Sequence, residues 1–224
     1  MKPKDSAWEA TYNISRWWSC APVSAISRFR INVDGSGVNT LVTFYGCPLD
    51  CKYCLNANMK KVPASAKMMS TMNLYEIVKK DNIYFRATGG GITFGGGEPL
   101  LQYQFIKEFK EHFVQNWKIR VETCLNVPKE CMEALYDIVD EWIVDIKTMQ
   151  RFSYYDYTGS KDFRNLVNNL KALIAAVGPE KILVRVPLIE FYSNEQDQEY
   201  SVGVLKKMGF TRFDLFTYKT VYNE

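Results

Sequence analysis

The sequence contains the segment Cys47-Pro48-Leu49-Asp50-Cys51-Lys52-Tyr53-Cys54, directly after an apolar, β-prone run at residues 41–45. Its three thiols have C-x3-C-x2-C spacing. Thiolates are soft ligands that favour zinc, Cu(I) or iron–sulfur clusters. A structural zinc site takes four protein ligands, and most iron–sulfur clusters take four cysteines. Three local thiols would therefore leave one iron of a [4Fe–4S] cluster open, and an open metal position can bind a substrate.

A second motif, rich in glycine, follows further along the chain at Gly89-Gly90-Gly91-Ile92-Thr93-Phe94-Gly95-Gly96-Gly97-Glu98-Pro99. It resembles the GGGVTFSGGEP stretch of glycyl-radical-enzyme activating proteins, the pyruvate formate-lyase activase group. The cysteine spacing, with the aromatic Tyr53 just before the last cysteine, resembles the signature of the radical S-adenosylmethionine (SAM) superfamily. Two independent motifs in the right order and at the right distance carry this resemblance, which extends over residues 27–220.

The resemblance implies a radical SAM oxidoreductase of the activase type. Cys47, Cys51 and Cys54 would form its catalytic centre, each binding one iron of a [4Fe–4S] cluster, with SAM on the fourth iron. An electron from a flavodoxin- or ferredoxin-type reductant would cleave SAM to methionine and a 5′-deoxyadenosyl radical. That radical would abstract a hydrogen from a glycine Cα of a partner glycyl radical enzyme. The cofactors would carry this chemistry, and the protein would place them.

Four SAM contacts are implied by the two motifs themselves. Tyr53 would pack near the adenine, although a core aromatic is an equally good interpretation. Gly96, Gly97 and Glu98 match the GGE motif that contacts the SAM amino group. Glycines suit this role because they let backbone carbonyls approach a ligand closely. A phosphate-binding loop is the alternative, but no G-K-[ST] ending follows and a glutamate would repel phosphate.

Further contacts are implied at the ends of later strands. Lys147 resembles the lysine of a D-L-K stretch near the SAM carboxylate and ribose, with an ion pair to Asp145 or Glu122 as the alternative. Arg185 resembles an arginine that reaches the SAM site, with a structural salt bridge as the alternative, because a buried arginine must be paired. Thr123 is also placed among the SAM contacts. Glu122, Thr123 and Asp145 match positions that line a monovalent-cation site beside SAM.

The remaining cysteines bear on the zinc alternative. Cys20, Cys124, Cys131 and His112 are the side chains that could complete a four-ligand zinc site. We expect His112 to be a solvated surface histidine on the polar side of its helix. The three cysteines are expected to pack in the interior, as free cysteines commonly do. Cys124 is the least certain of them, since it follows Thr123 at a strand end that faces the site.

The order of predicted elements indicates an α/β fold. Strands are predicted at residues 41–45, 92–94, 119–123, 142–146, 182–189 and 213–218, and helices at residues 74–85, 99–117, 128–139, 162–177 and 195–208. The helix at 74–85 should bury Leu74, Ile77, Val78 and Ile83. Such alternation predicts βαβ units and a parallel sheet. It fits a partial (β/α)6 TIM-like barrel, the fold that the radical SAM resemblance also implies. Parallel barrels carry their chemistry at the carboxyl ends of the strands, where the candidate residues lie.

The predicted domain organisation has two parts. Residues 1–26 should be an irregular N-terminal extension that packs its aromatic side chains on the barrel, and residues 27–224 should be the radical SAM core domain. In the opening segment at residues 27–37, two glycines would allow a tight turn before the first strand.

Composition restricts the function classes. Of 224 residues, 47% are hydrophobic and 24% are charged, as in ordinary globular proteins, and the net charge is only +3. There is no Lys/Arg block of the kind that tracks nucleic acid, and no apolar run near the ~20 residues of a membrane helix. Without a signal-peptide pattern, we expect a cytoplasmic protein. Six cysteines would permit disulfides, but such frameworks are typical of short secreted chains.

Two rival functions stay open at this point. Departures from the activase pattern, such as Leu55-Asn56 after the last cysteine and residues 190–194 after the fifth strand, affect the substrate half more than the SAM half. A radical SAM enzyme acting on a small molecule, similar to 7-carboxy-7-deazaguanine synthase, would need its own convergent polar pocket. An iron–sulfur redox or sensor protein without SAM chemistry would leave the glycine-rich run at residues 89–98 unexplained.

Overall fold

The computed structural model describes residues 18–114, 116–189 and 193–218. Its strands are β1 (Cys20–Ala21), β2 (Val23–Ile31), β3 (Val38–Phe44), β4 (Met69–Ser70), β5 (Gly91–Gly96), β6 (Lys118–Thr123), β7 (Glu141–Asp145), β8 (Ile182–Ile189) and β9 (Arg212–Tyr218). Its α-helices are α1 (Thr71–Val78), α2 (Asn82–Thr88), α3 (Tyr103–Phe113), α4 (Lys129–Glu133), α5 (Arg151–Thr158), α6 (Phe163–Val177) and α7 (Glu195–Lys207). Short 3-10 turns lie at Ala57–Met59, Lys79–Asp81, Pro99–Gln102 and Pro179–Lys181. Among these described helices, none is long and apolar enough to cross a membrane.

Seven strands form one sheet in the order β2-β3-β5-β6-β7-β8-β9. All neighbours from β3 to β9 pair in parallel, and β2 pairs with β3 in the antiparallel sense. Helices connect the parallel strands, so their carboxyl ends meet at one edge of the sheet. Within the described residues, the two outer strands β2 and β9 do not pair with each other. The predicted α/β class and the partial, unclosed (β/α)6 barrel are confirmed.

The core lies between the outer face of the sheet and the helices. Phe94 on β5 stacks on Phe44 of β3 with ring centroids 5.7 Å apart, and meets Phe109 of α3 edge-on at 5.9 Å. All three rings are buried, and burial of one such side chain stabilises the fold by about 1.5–3 kcal/mol. Phe105 and Phe109 of α3 are both buried, and the helix predicted at 99–117 is shorter, since α3 itself begins at Tyr103 and ends at Phe113.

A cluster of charged and polar side chains lies near the amino ends of the strands. Arg120 Nε and Arg212 Nη2 donate to the two oxygens of Glu141 at 2.9 and 2.6 Å. Arg120 Nη1 also donates to Asn39 Oδ1 at 2.6 Å. Arg212 and Glu141 are the first residues of β9 and β7, and Arg120 and Asn39 lie within three residues of the starts of β6 and β3. The opposite, carboxyl end of the strands is left for the pocket.

The N-terminal segment differs from its predicted structure. The irregular structure expected for residues 18–26 is wrong, because β2 spans Val23–Ile31 and the proposed boundary after residue 26 falls inside this strand. The register of β2 shifts twice along β3, and Phe29 and Asn32 have positive φ angles. These bulges break the alternation that marks a strand in sequence. Residues 1–17 lie outside the described part of the chain, and the division into an extension and a core stays a prediction there.

Three of the helices also differ from the predicted ones. The sequence pattern does not predict α5, because the aromatic-rich composition of this helix is typical of strands. The helix predicted at 74–85 is divided by the 3-10 turn at Lys79–Asp81, which rotates its second half. Ile83 is therefore 70% exposed instead of buried. The helix predicted at 128–139 is shorter and ends at Glu133.

Candidate active site at the carboxyl ends of the strands

The cysteine loop follows β3 and is fixed by backbone hydrogen bonds on one side. Gly46 N–H donates to the Met59 carbonyl at 2.8 Å, and Cys47 N–H donates to the Lys60 carbonyl at 3.0 Å. Lys60 Nζ returns to the loop and donates to the Cys51 carbonyl at 2.8 Å. The turn at Ala57–Met59 thus folds back under the loop that carries the thiols.

Helix α5 and strand β9 fix the other side of the loop. Asp50 N–H donates to the Thr158 carbonyl at 2.9 Å, and Lys52 N–H donates to the Tyr157 carbonyl at 3.0 Å. The Tyr218 hydroxyl at the end of β9 donates to the Tyr53 carbonyl. The helix that sequence reasoning missed is therefore the element that supports the cysteine loop.

The loop faces a pocket with a volume of about 430 Å³. All of the predicted site residues except Glu98 line it: Cys47, Cys51, Cys54, Tyr53, Gly96, Gly97, Glu122, Thr123, Asp145, Lys147 and Arg185. These residues come from β5, β6, β7, β8 and the loops that follow β3, β5 and β7. The prediction that parallel strands bring them to one place is confirmed, whereas their contacts with SAM stay predictions.

Close backbone packing requires the two glycines of the pocket wall. A Cβ on Gly97 would lie 2.2 Å from the Gly46 carbonyl oxygen, and a Cβ on Gly96 would lie 2.6 Å from Thr43 Cβ. Gly96 also has a φ of +96°, which favours glycine. The Gly96 carbonyl accepts a hydrogen bond from Asn56 Nδ2 at 2.9 Å. These glycines therefore let the end of β5 pack against the start of the cysteine loop and leave bare backbone towards the pocket.

Glu98 is the predicted contact that does not line the pocket. Its side chain is 0% exposed and accepts hydrogen bonds from Leu100 N–H (3.0 Å), Thr123 Oγ1 (2.8 Å) and Cys124 N–H (2.8 Å). Its own N–H donates to the Gly46 carbonyl at 2.7 Å. Burial raises the pKa of this carboxyl. The three donors turn Glu98 inward, so it connects β5, β6 and the cysteine loop instead of facing a ligand.

The charged side chains of the pocket are paired with one another. Arg185 donates to both oxygens of Asp145 at 2.6 and 3.1 Å and to Glu122 Oε1 at 3.1 Å. Lys147 Nζ lies 3.6 Å from Asp145 Oδ2. Burial alone would raise the pKa of Asp145, but Lys147 and Arg185 hold it below its ordinary value. Both salt-bridge alternatives for Lys147 and Arg185 are therefore present in the structure.

These ion pairs affect the expected cation site. Arg185 supplies to Glu122 and Asp145 the positive charge that a monovalent cation was expected to supply. Burial nevertheless raises the pKa of Glu122, against the opposing charge of Arg185. The structure gives the cation no support, and that site stays a prediction.

Sequence reasoning missed two ionic residues at the floor of the pocket. Arg30 and Asp34 pair with each other and line the pocket together with Glu122. They lie after the second bulge of β2, so their position depends on a register shift that leaves no periodic signal in the sequence. The sequence predicts only a tight turn in the segment at residues 27–37.

The cysteines outside the loop differ from one another. Cys131 is buried, as expected, but Cys20 is exposed at the start of the short β1, so its expected interior packing is wrong. Cys124 lines the pocket, and its thiol hydrogen-bonds the Cys47 thiol. His112 is exposed on α3, as expected, where it meets Trp18 edge-on.

The donor set fits a multi-iron cluster better than a mononuclear ion. Cys47, Cys51 and Cys54 all line the pocket, but in the described ranges no three His, Cys, Asp or Glu side chains converge on a position for one metal ion. In a [4Fe–4S] cluster each thiolate binds its own iron, so no such convergence is needed. Burial raises the pKa of Cys51 to about 11, and a hydrogen bond with Cys124 lowers the pKa of Cys47. Cluster binding would deprotonate these thiols.

Comparison with known proteins agrees with this geometry. The sequence profile of the radical SAM superfamily matches residues 41–199. The chain belongs to the radical SAM superfamily. Membership implies a radical SAM enzyme that uses a [4Fe–4S] cluster and SAM, and the resemblance inferred from the two motifs is confirmed.

Two curated relatives of this radical SAM enzyme are activating enzymes. The pyruvate formate-lyase 2-activating enzyme of Escherichia coli (strain K12) is 26% identical over 230 aligned positions, which cover 88% of this chain and 77% of that protein. The pyruvate formate-lyase-activating enzyme of Staphylococcus aureus (strain USA300) is 28% identical over 181 positions, which cover 76% and 70%.

Solved structures support the fold. Streptococcus suis SuiB bound to S-adenosylmethionine superposes with a TM-score of 0.58 and 15% sequence identity, covering 82% of this chain. The chain spans about two fifths of the SuiB chain, since the match covers 41% of it. At this identity the similarity concerns the fold alone.

Proposed function

We propose that this enzyme cleaves SAM reductively and then abstracts a hydrogen atom from a glycine Cα of a partner glycyl radical enzyme. The observation that carries the first half is the shared pocket, in which three thiols, bare glycine backbone and a lysine face the same space. Its volume of about 430 Å³ lies in the range of small-molecule sites.

Each part of the pocket has a role in this proposal. Cys47, Cys51 and Cys54 bind three irons of a [4Fe–4S] cluster. When bound and reduced, the cluster supplies the electron that cleaves SAM to methionine and a 5′-deoxyadenosyl radical. The backbone at Gly96 and Gly97 allows the close approach of the SAM amino group. Lys147 offers its ammonium to the SAM carboxylate.

Lys147 is suited to this role because it is the loosely paired cation of the site. Its Nζ lies 3.6 Å from Asp145, whereas Arg185 makes contacts of 2.6 to 3.1 Å with two carboxylates. A ligand carboxylate can compete for Lys147 more easily than for Arg185, which already forms a bidentate pair with Asp145 and a third hydrogen bond to Glu122. Arg185 therefore positions Asp145, and Lys147 contacts the ligand.

The protein substrate is supported by the relatives and by the rim of the pocket. Both activating enzymes described above are named for their action on pyruvate formate-lyase. Phe216 on the outer strand β9 lines the pocket and is 38% exposed. A partner polypeptide can cover this apolar rim and exclude water from a radical reaction. A flavodoxin- or ferredoxin-type protein is the proposed electron donor.

A small-molecule substrate is the second candidate. Arg30, Asp34, Glu122 and Arg185 give the pocket the polar floor that this rival requires. These charges pair with one another, so a small substrate would have to displace an existing ion pair. The activase is therefore the stronger proposal.

The test begins with anaerobic reconstitution of the protein with iron and sulfide, followed by reduction and addition of SAM. Formation of 5′-deoxyadenosine that is lost in Cys51→Ala supports the cleavage half. Lys147→Met should weaken SAM binding at least tenfold, whereas the surface variant Lys161→Met should leave it unchanged. A reduced cluster that neither binds nor cleaves SAM would reject both enzyme proposals and favour the redox or sensor protein.

The activase half needs a partner carrying deuterium on the glycine Cα. Transfer of deuterium into 5′-deoxyadenosine, with a glycyl radical signal on the partner by electron paramagnetic resonance, is the expected result. Cleavage of SAM without deuterium transfer from the partner would favour the small-molecule alternative.

A further inference from the structure

A fourth thiol lies against the cysteine loop. Cys124 is the first residue after β6 and lines the same pocket as Cys47. The two thiols hydrogen-bond each other. Both side chains also belong to one small apolar cluster with Leu49, Tyr157 and Ile189. Contact between thiols is the first requirement for a disulfide, whose sulfurs are about 2.05 Å apart.

The architecture of the sheet brings these two cysteines together. Cys47 follows β3 and Cys124 follows β6, and β5 lies between the two strands. The last two residues of β5 and the residue after it are glycines (Gly95, Gly96 and Gly97), so this stretch places no side chain between the two cysteines. Their contact depends on parallel register across three strands.

Glu98 anchors both cysteines from below. Its N–H donates to the carbonyl of Gly46, the residue before Cys47, at 2.7 Å. Its carboxylate accepts from the Cys124 N–H at 2.8 Å and also hydrogen-bonds the Cys124 thiol. One buried residue therefore bonds to the backbone beside both thiols.

We propose that Cys47 and Cys124 form a reversible disulfide in the cluster-free protein, with a small disulfide such as glutathione disulfide as the oxidant. One thiolate attacks glutathione disulfide, a glutathione leaves, and the second thiol displaces the second glutathione from the mixed disulfide. One S–S bond breaks and one forms, and two electrons and two protons pass from the protein to the two glutathione molecules. Cys124 is thereby a modification site.

The consequence for the enzyme rests on the proposed cluster site. A disulfide at Cys47 removes one of three iron ligands and blocks cluster assembly until a thiol reductant restores it. Bound iron occupies Cys47 and prevents the disulfide, so the bond is confined to the cluster-free protein. A disulfide also protects the ligand from irreversible oxidation to sulfinic or sulfonic acid.

The experiment uses the reduced, iron-free full chain under anaerobic conditions. After treatment with glutathione disulfide, digestion without reductant and mass spectrometry should find the peptide that links Cys47 to Cys124. Iron uptake should fall at least tenfold in treated protein and return after dithiothreitol. Cys124→Ser keeps the side-chain size and should take up iron before and after treatment. The matched control Cys131→Ser, which changes a buried cysteine on α4, should behave like the unmodified chain.

Three results would overturn the disulfide. They are a link between Cys51 and Cys54 instead, a stable glutathione adduct on Cys47 or Cys124, or equal loss of iron uptake in Cys124→Ser. The cluster proposal is judged separately, by iron uptake of the reduced protein that was never oxidised. If that uptake fails while the linked peptide forms, the cluster site is wrong and the disulfide stands.

Discussion

Replacement of Gly97 by alanine tests whether the end of β5 sets the position of the cysteine loop. The added Cβ would lie 2.2 Å from the Gly46 carbonyl oxygen, 2.9 Å from its carbon and 3.1 Å from the Phe44 carbonyl oxygen. All three are backbone atoms, so no side chain can rotate away. Gly46 has to shift by about 1 Å to restore ordinary contact. That shift moves Cys47, the next residue and the first thiol of the loop.

The expected loss of stability has two parts. Overpacking against backbone costs about 1–3 kcal/mol. Two hydrogen bonds are strained as well, from Gly97 N–H to the Phe44 carbonyl (2.9 Å) and from Glu98 N–H to the Gly46 carbonyl (2.7 Å). Each contributes about 0.5–1.5 kcal/mol. A total of about 2–6 kcal/mol corresponds to a urea midpoint lower by about 1–3 M, if the m-value is near 2 kcal/mol/M.

Urea unfolding of the iron-free protein is the assay, and Gly203→Ala is the matched control. Gly203 lies inside α7, and a Cβ there meets no atom within 4 Å. The same change should therefore stabilise the protein by about 0.5–1 kcal/mol, since glycine is unfavourable inside a helix. If Gly97→Ala unfolds within 0.5 M of the unmodified chain and takes up iron normally, the close approach to Gly46 does not constrain the loop, and the reasoning fails.

Three other substitutions test individual side chains that hydrogen-bond across the fold. Glu98→Ala leaves three buried donors without an acceptor and should lower the free energy of unfolding by at least about 3 kcal/mol. Glu98→Gln should have an intermediate stability, and equal stability of the two variants in urea would contradict this. Tyr218→Phe removes the hydrogen bond to the Tyr53 carbonyl and should speed iron loss to a chelator severalfold. The free energy of unfolding should fall by less than about 1.5 kcal/mol. An unchanged rate of iron loss would show that this bond does not hold the cysteine loop. Burial alone would raise the pKa of Glu141, but hydrogen bonds from its two arginine partners hold it below the ordinary value. Glu141 therefore stabilises the fold above its unfolded pKa of about 4.3 and loses that contribution as the pH falls through the lower folded pKa. Glu141→Gln should be less stable at pH 7 and lose less stability on acidification, and parallel pH profiles from thermal unfolding would refute this.

The parts of the fold that sequence could predict share one property. Parallel strands buried on their outer face appear as short apolar runs, and the helices between them show a repeating apolar face. Phe105 and Phe109 on α3 are an example, since i, i+4 spacing alone places both in the core. The cysteine and glycine motifs lie at the ends of such strands, and topology brings them together without further information.

The parts that could not be predicted depend on contacts between distant segments. Two bulges interrupt the sequence alternation that would identify β2 as a strand. The positions of Arg30 and Asp34 in the pocket could therefore not be predicted either. The inward turn of Glu98 requires donors from residues 100, 123 and 124, which only the folded structure assembles. A motif can indicate that a residue matters at a site. It does not indicate whether the side chain faces the ligand or the core.

Glu98 and Asp145, two acidic residues of the site, differ in function for this reason. Glu98 is sealed from solvent and ties three segments together, so its charge acts on the scaffold. Asp145 lines the pocket between Arg185 and Lys147, so its charge acts on whatever binds there. A ligand carboxylate that draws Lys147 away still leaves Asp145 paired with Arg185, and the site stays neutralised when it is filled. In the proposed site Arg185 would therefore be essential without touching the ligand, because it would let Lys147 change partners without exposing a buried, unpaired carboxylate.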